Sequence, residues 1–367
     1  RLVCGHGHSS IYTDLAPSAV RRVACIGCGV IGTSHMRAAN ESPDIELIAA
    51  ADLIDANHEK AEAQFSPKRL YTDGADLIAD DEIELVVLAF PTAYRGKVGL
   101  DVLGAGKHLL TEKPVAMNAG EVKALIAARG DLQAACCSSR YRFTKGAEVA
   151  TEFIASGALG ELRTVRHRNL SAAGKLPTSP RPEWRLKKGL NGGGYLVNWG
   201  CYDLDYLLGI TGWSLKPLTV FAQTWTVPPP YERHIAPGSD AETHYIAMIR
   251  CEGGTILTIE RSEFTAAEGD EAWGIIGSEG SLRLAMTASK PGRIVHAKAN
   301  TVEGTSAETL WEENEDRSIH AGPLTDLAGA IREGRAPKTS LEQALVVQQI
   351  TDAVYLSAET GEAVSIQ

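Results

Sequence analysis

Three groups of residues in this chain have types and spacings that can do chemistry. In RRVACIGCGVIG, from Arg21 to Gly32, the glycines Gly27, Gly29 and Gly32 form G-x-G-x-x-G directly after the short apolar run from Val23 to Ile26. In such a pattern the first glycine allows a tight turn, the second lets main chain approach a pyrophosphate, and the third lets the next helix pack close on the strand. Cys28, Val30 and Ile31 fill the loop between them and belong to the same cradle. The pyrophosphate would sit at the helix N-terminus, where free N–H groups and the dipole favour an anion. A second apolar run, Ile45 to Ala51, ends in Asp52. This acid stands about 20 residues beyond the last glycine, where a carboxylate meets an adenosine ribose 2′-hydroxyl. Leu53 and Ile54 follow, where a 2′-phosphate would call for Arg or Ser. The pattern points to NAD rather than NADP.

The second group is Glu112-Lys113-Pro114, at the end of the apolar stretch from His108 to Thr111. A lysine there can hydrogen-bond a reacting hydroxyl or carbonyl and stabilise developing negative charge. The proline makes a fixed turn, with a cis bond open to it. Taken alone, a solvated loop lysine is the ordinary reading. The third group is GGGYLVNWGCYDLD, Gly192 to Asp205. Read as a helix, it places Asn198, Tyr202 and Asp205 at i, i+4 and i+7, on one face. Asn198 and Tyr202 are candidates for a catalytic pair, and Asp205 for a buttress. The plainer alternative is a buried helix whose tyrosine finds a local hydrogen-bond partner.

These groups need a scaffold. Strand-like runs alternate with helical ones from Val23 to Cys137, which predicts an α/β domain with a doubly wound parallel sheet. The run from Ile83 to Phe90 is almost wholly apolar, as suits a strand covered on both faces. The glycine turn, Asp52, Phe90-Pro91-Thr92 and Glu112-Lys113-Pro114 all fall at carboxyl ends of strands and so can face one crevice. After a helix from Lys145 to Ser156 the pattern changes. Alternating strands are predicted over 162–170, 218–227, 243–251, 255–261, 273–277 and 281–285, with turns at Glu252-Gly253-Gly254 and Ser278-Glu279-Gly280. This is an α+β domain with a large, mainly antiparallel sheet and one apolar face, followed by helices over 324–332 and 341–357. The stretches 227–230 and 290–316 read as loops or irregular hairpins. The division is residues 1–20 as an extension, 21–143 as the dinucleotide domain and 144–367 as the substrate and oligomerisation domain.

The chain has 367 residues and a formal net charge of −10. That balance speaks against general nucleic-acid binding and against an anionic membrane surface. No apolar run is long enough to span a bilayer. Seven cysteines, an odd number with Cys136 and Cys137 adjacent, do not form a disulfide framework. Cys25 and Cys28 have C-x-x-C spacing but no second ligand pair, so no metal is assigned. The chain reads as reduced and cytoplasmic. His6 and His8 lie in the initial extension, which is set aside from the fold.

The sequence resembles the Gfo/Idh/MocA oxidoreductase family, which includes glucose–fructose oxidoreductase and inositol dehydrogenase. The likeness runs from about Val23 to the C-terminus through GCGVIG, AFPTAYRGKVGLDVLGAGKHLLTEKP, SSRYRF…SGALGELRTVR, PEWR…GGGYLVNWGCYDLD and AIREGRAP…SAETG. The resemblance implies a Rossmann domain, an open-faced antiparallel sheet domain, a nicotinamide cofactor and a sugar-like or polyol substrate. It makes Lys113 the catalytic lysine. Tyr202 stands where most members have histidine, as in the glucose–fructose oxidoreductase and dihydrodiol dehydrogenase branches, and Asn198 stands where most have aspartate. Trp184 and Arg185 fall near nicotinamide and substrate, Arg140 and Arg142 fall at the domain junction, and Tyr94 falls in the cofactor-binding AFPTAYRG segment. In this reading Tyr202 exchanges the hydroxyl proton, Lys113 stabilises the alkoxide and lowers the tyrosine pKa, and Asn198 orients a hydroxyl. Arg140 and Arg185 join them around the substrate, and Arg142 serves the cofactor.

The expected activity is interconversion of a secondary alcohol and a ketone on a sugar, polyol or sugar acid. Two alternatives stand beside it: an enzyme that retains NAD and uses transient oxidation to cleave a glycosidic or ether bond, and a non-catalytic NAD-binding regulator. Arg140, Arg142, Arg181, Arg185, Lys187 and Lys188 hint at an anionic substrate group. A homo-oligomer, dimer or tetramer, built sheet to sheet is expected, with Phe221 and Trp225 on strands of that sheet.

Overall fold

The computed structural model describes residues 21–178, 182–287, 291–314 and 319–366. The expectations for residues 1–20 and for Arg181 lie outside them. The first domain runs β1 (Arg21–Ile26), α1 (Val30–Glu41), β2 (Ile45–Ala51), α2 (Asp55–Phe65), β3 (Arg69–Tyr71), α3 (Gly74–Ile78), β4 (Leu85–Leu88), α4 (Thr92–Gly104), β5 (His108–Thr111), α5 (Ala119–Arg129) and β6 (Ala134–Cys136). The six strands are parallel in the order β3-β2-β1-β4-β5-β6. All four residues of β4 are buried because the sheet is covered on both faces. Alternate residues of one strand feed two cores: Ala24, Val86 and Leu88 on one side, Val23, Leu85 and Val87 on the other. Strand order reverses between β1 and β4, which opens a crevice at their carboxyl ends.

A 3₁₀ turn (Cys137–Phe143) leads to α6 (Lys145–Ala155) and β7 (Leu162–Ala172), then a 3₁₀ turn (Glu183–Leu186), α7 (Lys188–Asn191), a π-helical turn (Leu196–Gly200) and α8 (Cys201–Ile210). There follow β8 (Pro217–Trp225), β9 (His244–Cys251), β10 (Ile256–Thr265), β11 (Asp270–Gly277), β12 (Gly280–Leu284), β13 (Gly292–Asn300), β14 (Gly304–Glu313), α9 (Ala321–Glu333), α10 (Leu341–Thr360) and β15 (Val364–Ser365). The second sheet has nine strands in the order β14-β13-β12-β11-β7-β10-β9-β8-β15. Its pairs are antiparallel except β7 with β10. One face packs on α8 and α10 through residues such as Val220, Ala247 and Ile259. The other leaves Phe221, Trp225, Ile246 and Met248 exposed.

Two features of the second half of the chain add to the sequence reading. The stretch 290–316, read as loops or irregular hairpins, carries a paired hairpin with one register shift, β13 with β14. Most of β14 is exposed and polar, so hydrophobic alternation had little to register. The C-terminal helices also return to the first domain. Leu324, Leu327 and Ala328 of α9 join one of its cores, and Leu341 and Ala344 of α10 join the other, while Val347, Ile350 and Val354 belong to the second domain. These two helices thus pack on both sheets. Among the described residues no helix is long and apolar enough to cross a membrane.

Candidate active site

The glycine loop has the shape of a phosphate cradle. Gly27 has φ +95°, and a Cβ there would lie 2.5 Å from the Ala89 carbonyl oxygen. A Cβ on Gly32 would lie 1.7 Å from the Gly27 oxygen, so only glycine lets α1 approach. A Cβ on Gly29 would meet nothing within 4 Å, and no side chain caps α1, so open space faces uncapped N–H groups. The Asp52 carboxylate is fixed beside them: Oδ2 accepts from the Cys28 N–H at 2.7 Å and from Asn57 Nδ2 at 3.0 Å, and Oδ1 accepts from the Ile54 N–H at 2.9 Å. Val30 and Leu53, 80% and 81% exposed, add apolar surface at this rim. Space, donors and acid together fit a dinucleotide. Phe90, Pro91 and Thr92 follow β4, and Tyr94 is exposed in the first turn of α4. The Thr92 hydroxyl faces protein, donating to Asn191 Oδ1 at 3.2 Å and accepting from Arg95 Nη2 at 2.5 Å.

Lys113 stands just beyond β5, and its bond to Pro114 is cis. Its Nζ donates to the main-chain oxygen of Asn198 at 2.7 Å and lies 4.8 Å from the ring centroid of Tyr202. The Tyr202 ring meets Tyr141 and Trp199 edge-on, with centroids 5.3 and 5.9 Å away. Glycines shape this helix entry too. A Cβ on Gly193 would strike the Tyr355 hydroxyl, and one on Gly194 the Glu242 carbonyl. The Glu242 carboxylate accepts from the N–H groups of Gly194 and Leu196.

The expected continuous helical face is interrupted. The π-helical turn lets the Cys201 N–H reach back to the Leu196 carbonyl, which shifts the register between Asn198 and Tyr202. The Asn198 side chain is directed inward: Nδ2 donates to the oxygens of Arg185 at 3.0 Å and Gly194 at 2.8 Å, and Oδ1 accepts from Asn191 at 3.4 Å. The amide expected to orient a hydroxyl thus pins the Trp184–Arg185 segment instead. Asn191 Nδ2 holds the same Arg185 oxygen at 3.2 Å.

Other basic residues are also turned to protein. Arg140, 3% exposed, donates from Nε to the Cys137 oxygen at 3.3 Å and from Nη2 to Glu112 Oε1 at 2.6 Å, and Nη1 lies 2.8 Å from His320 Nδ1. Since a guanidinium only donates, that histidine nitrogen accepts. Arg140 is therefore not presented to a substrate. Arg142, expected at the cofactor, is a strut: Nε donates to Asp205 Oδ1 at 2.6 Å, and Nη2 donates to Lys338 O and Thr339 Oγ1. Asp205 also accepts from Ser138 Oγ at 2.9 Å, the buttress expected of it. Lys187 pairs with Glu183 at 3.4 Å. These pairings weaken the hint of an anionic substrate.

Electrostatics follow burial. Burial pushes the Lys113 ammonium pKa down, with Cys201 and Glu112 opposing. Burial pushes the Tyr202 phenol well above its ordinary value, and the largest opposing attraction comes from Arg140. The phenol is thus raised by burial rather than lowered, and the strongest attraction on its charged form comes from Arg140. Burial would raise the Glu112 carboxyl, yet Arg140 and His35 hold it well below the usual range. His35 Nε2 meets Glu112 Oε1 at 2.9 Å. Burial also pushes the Cys28 thiol up to about 12, which disfavours a reactive thiolate there.

Sequence reasoning missed His35, Arg95, Asn191 and His320. Each has a partner 18 to 180 positions away, which no local spacing announces, although Arg95 falls within the AFPTAYRG segment and Asn191 just before the three glycines.

A parallel-sheet domain with a dinucleotide cradle, a lysine at the crevice and a tyrosine brought from a second sheet domain define a nicotinamide-dependent oxidoreductase. Residues 21–138 match the family described as "Oxidoreductase family, NAD-binding Rossmann fold", and residues 148–283 match the "GFO/IDH/MocA C-terminal domain". The chain belongs to the Gfo/Idh/MocA oxidoreductase family, and its first domain is that family's NAD-binding domain. It is 25% identical over 283 residues to levoglucosan dehydrogenase of Pseudarthrobacter phenanthrenivorans, covering 71% of this chain and 72% of that one. It is 23% identical over 360 residues to D-glucoside 3-dehydrogenase of Escherichia coli, covering 95% and 98%. Among solved structures, an oxidoreductase domain protein from Kribbella flavida superposes with TM-score 0.82 at 22% identity, covering 95% and 100%. Levoglucosan dehydrogenase in complex with NADH and levoglucosan gives 0.81 at 22% identity, covering 94% and 99%.

Proposed function

We propose that this enzyme interconverts a secondary alcohol and a ketone on a sugar, polyol or sugar-acid-like molecule, with NAD. One observation carries the reading: Lys113 of the first domain lies 4.8 Å from the Tyr202 ring of the second, beside a crevice shaped for a dinucleotide. NAD, when bound, accepts or supplies the hydride. Tyr202, kept neutral by burial at ordinary pH, gives its proton to a carbonyl oxygen that is becoming a hydroxyl. In the other direction the minor phenolate form of Tyr202 takes the hydroxyl proton. The Lys113 ammonium stabilises the charge building on that oxygen, as a donor placed in a dry site does. Asn198 positions both sides of the site, holding Lys113 by its carbonyl and Arg185 by its amide. The dehydrogenase names of the relatives, on levoglucosan and on glucosides, support the substrate class.

The test is a screen of sugars, polyols and uronates with NAD, read by reduction of the nicotinamide. Substrate-dependent reduction in the parent and its loss in Tyr202→Phe are the expected results. Tight NAD with no net reduction on any of them would point away from this reading. The apolar outer face of the second sheet, with Phe221 and Met248 paired across β8 and β9, supports a homo-oligomer joined sheet to sheet. The free, buried cysteines among the described residues suit a cytoplasmic enzyme.

A further inference from the structure

We propose that Arg140 is a positioning residue for proton transfer: held by Glu112 and His320, its guanidinium sets how readily Tyr202 releases and regains its phenolic proton. The inference rests on the reading of Tyr202 given above. Arg140 Cζ lies 5.1 Å from the Tyr202 ring centroid, comparable to the 4.8 Å of Lys113 Nζ. The charged, titratable and aromatic groups facing that ring are Arg140 and Tyr141 from the 3₁₀ turn, Glu112 and Lys113 from the end of β5, Cys201 from α8, and Trp199 from the π-helical turn.

Two of these groups are cations, and they differ in kind. The Lys113 ammonium is engaged by the Asn198 carbonyl, and burial weakens its hold on its proton. A guanidinium stays charged when buried. All three Arg140 nitrogens are anchored, so its distance to the ring is fixed by Cys137, His320 and Glu112. Glu112 opposes the field of Arg140, and its Oε1 is shared between Arg140 and His35. Donor atoms of His35, Glu112 and Cys137 lie within 4.8 Å of one another, a spacing that also suits a metal. Arg140 Nη2 sits 2.6 Å from the same Glu112 oxygen, so a positive charge already stands where an ion would bind. The cluster is thus an electrostatic seat for Arg140.

In alcohol oxidation the substrate O–H bond would break and its proton would bond to the Tyr202 phenolate, while the carbinol hydrogen would leave with its electron pair as a hydride that NAD, when bound, would accept. The phenolate is the form Arg140 favours. In ketone reduction the same proton returns to the substrate oxygen.

The experiment uses the full chain with a ring-fluorinated tyrosine at position 202 and follows its ionisation by fluorine NMR without substrate. An opposite charge at this range shifts an ionisation by about one to three pH units. Arg140→Met should therefore move the Tyr202 titration up by about one unit or more, with Arg140→Lys between it and the parent. Glu112→Gln should move it down, and the acid limb of kcat/KM for oxidation should follow in each case. An unmoved titration in Arg140→Met, or an upward move in Glu112→Gln, overturns the proposal. If Arg140→Met does not fold, Arg140→Lys and Glu112→Gln carry the test through their opposite expected directions. Full turnover in Tyr202→Phe would overturn the reading of Tyr202 while leaving the titration shift in place. An unmoved titration beside an inactive Tyr202→Phe enzyme would overturn the role of Arg140 alone.

Discussion

The Lys113 ammonium donates to the main-chain carbonyl of Asn198 at 2.7 Å, so the two domains meet at this lysine through backbone rather than through a side-chain acid. A carbonyl holds the ammonium without neutralising it, which leaves its full charge for an oxygen in the crevice. Replacing Asn198 therefore cannot remove this contact directly.

Asn198→Ala should act through the Arg185 segment, since its amide donates to the Arg185 and Gly194 carbonyls. A net loss of about 0.5–1.5 kcal/mol per lost hydrogen bond is expected, since Asn191 still donates to the Arg185 oxygen and the residue-198 N–H still donates to the Gly194 oxygen. Steady-state kinetics should show KM raised more than kcat lowered, and NAD affinity by titration should hold.

Tyr202→Phe should lower turnover by about a hundred- to ten-thousand-fold, the usual contribution of a positioned acid or base. Lys113→Met should do similar damage. Both act on one proton transfer, so the double variant should lose much less than the product of the two losses. Multiplicative losses in kcat/KM would show that the residues act independently.

Asp52 accepts three protein hydrogen bonds and still faces the crevice rim, which predicts NAD preferred over NADP. Asp52→Ser should narrow that preference, as read by binding constants for both cofactors. NADP bound tenfold tighter than NAD by the parent would contradict the assignment.

Glu112 links acid sensitivity to the buried Arg140 cluster. Its folded-state pKa is depressed, so its contribution to stability is complete above the unfolded value, about 4.3, and is lost as pH falls through the folded value. Glu112→Gln leaves the Arg140 guanidinium without its anion, and a broken buried pair typically costs about 3–5 kcal/mol. Denaturant unfolding should show this gap near neutral pH and show it narrowing only at pH well below 4.3.

The outer sheet face predicts assembly. Phe221 and Met248, 51% and 52% exposed, sit directly opposite each other on β8 and β9. Phe221→Lys with Met248→Glu should shift sedimentation toward monomer while the fold, by circular dichroism, persists. A parent already monomeric at micromolar concentration would remove the basis for this expectation.

The local parts of this protein were legible because local physics writes them. The glycine loop needs glycines at fixed offsets, buried parallel strands need unbroken apolar runs, and Asp52 must follow β2, so Gly27, Gly29, Gly32 and Asp52 are legible from residue type and spacing, whereas Lys113, an ordinary loop lysine by spacing alone, stands out through the family resemblance. The hairpin turns near Gly253 and Gly280 announced the second sheet in the same way. Contacts between distant segments carry no such signature. That Arg140 reaches Glu112 and the Tyr202 ring, that Arg142 braces Asp205, and that a π-helical turn redirects Asn198 all depend on how two domains dock. Sequence alone determined which groups are available for hydride and proton chemistry. Only the tertiary structure decided which charges are already paired, because pairing depends on distance and burial, which residue types and spacing do not encode.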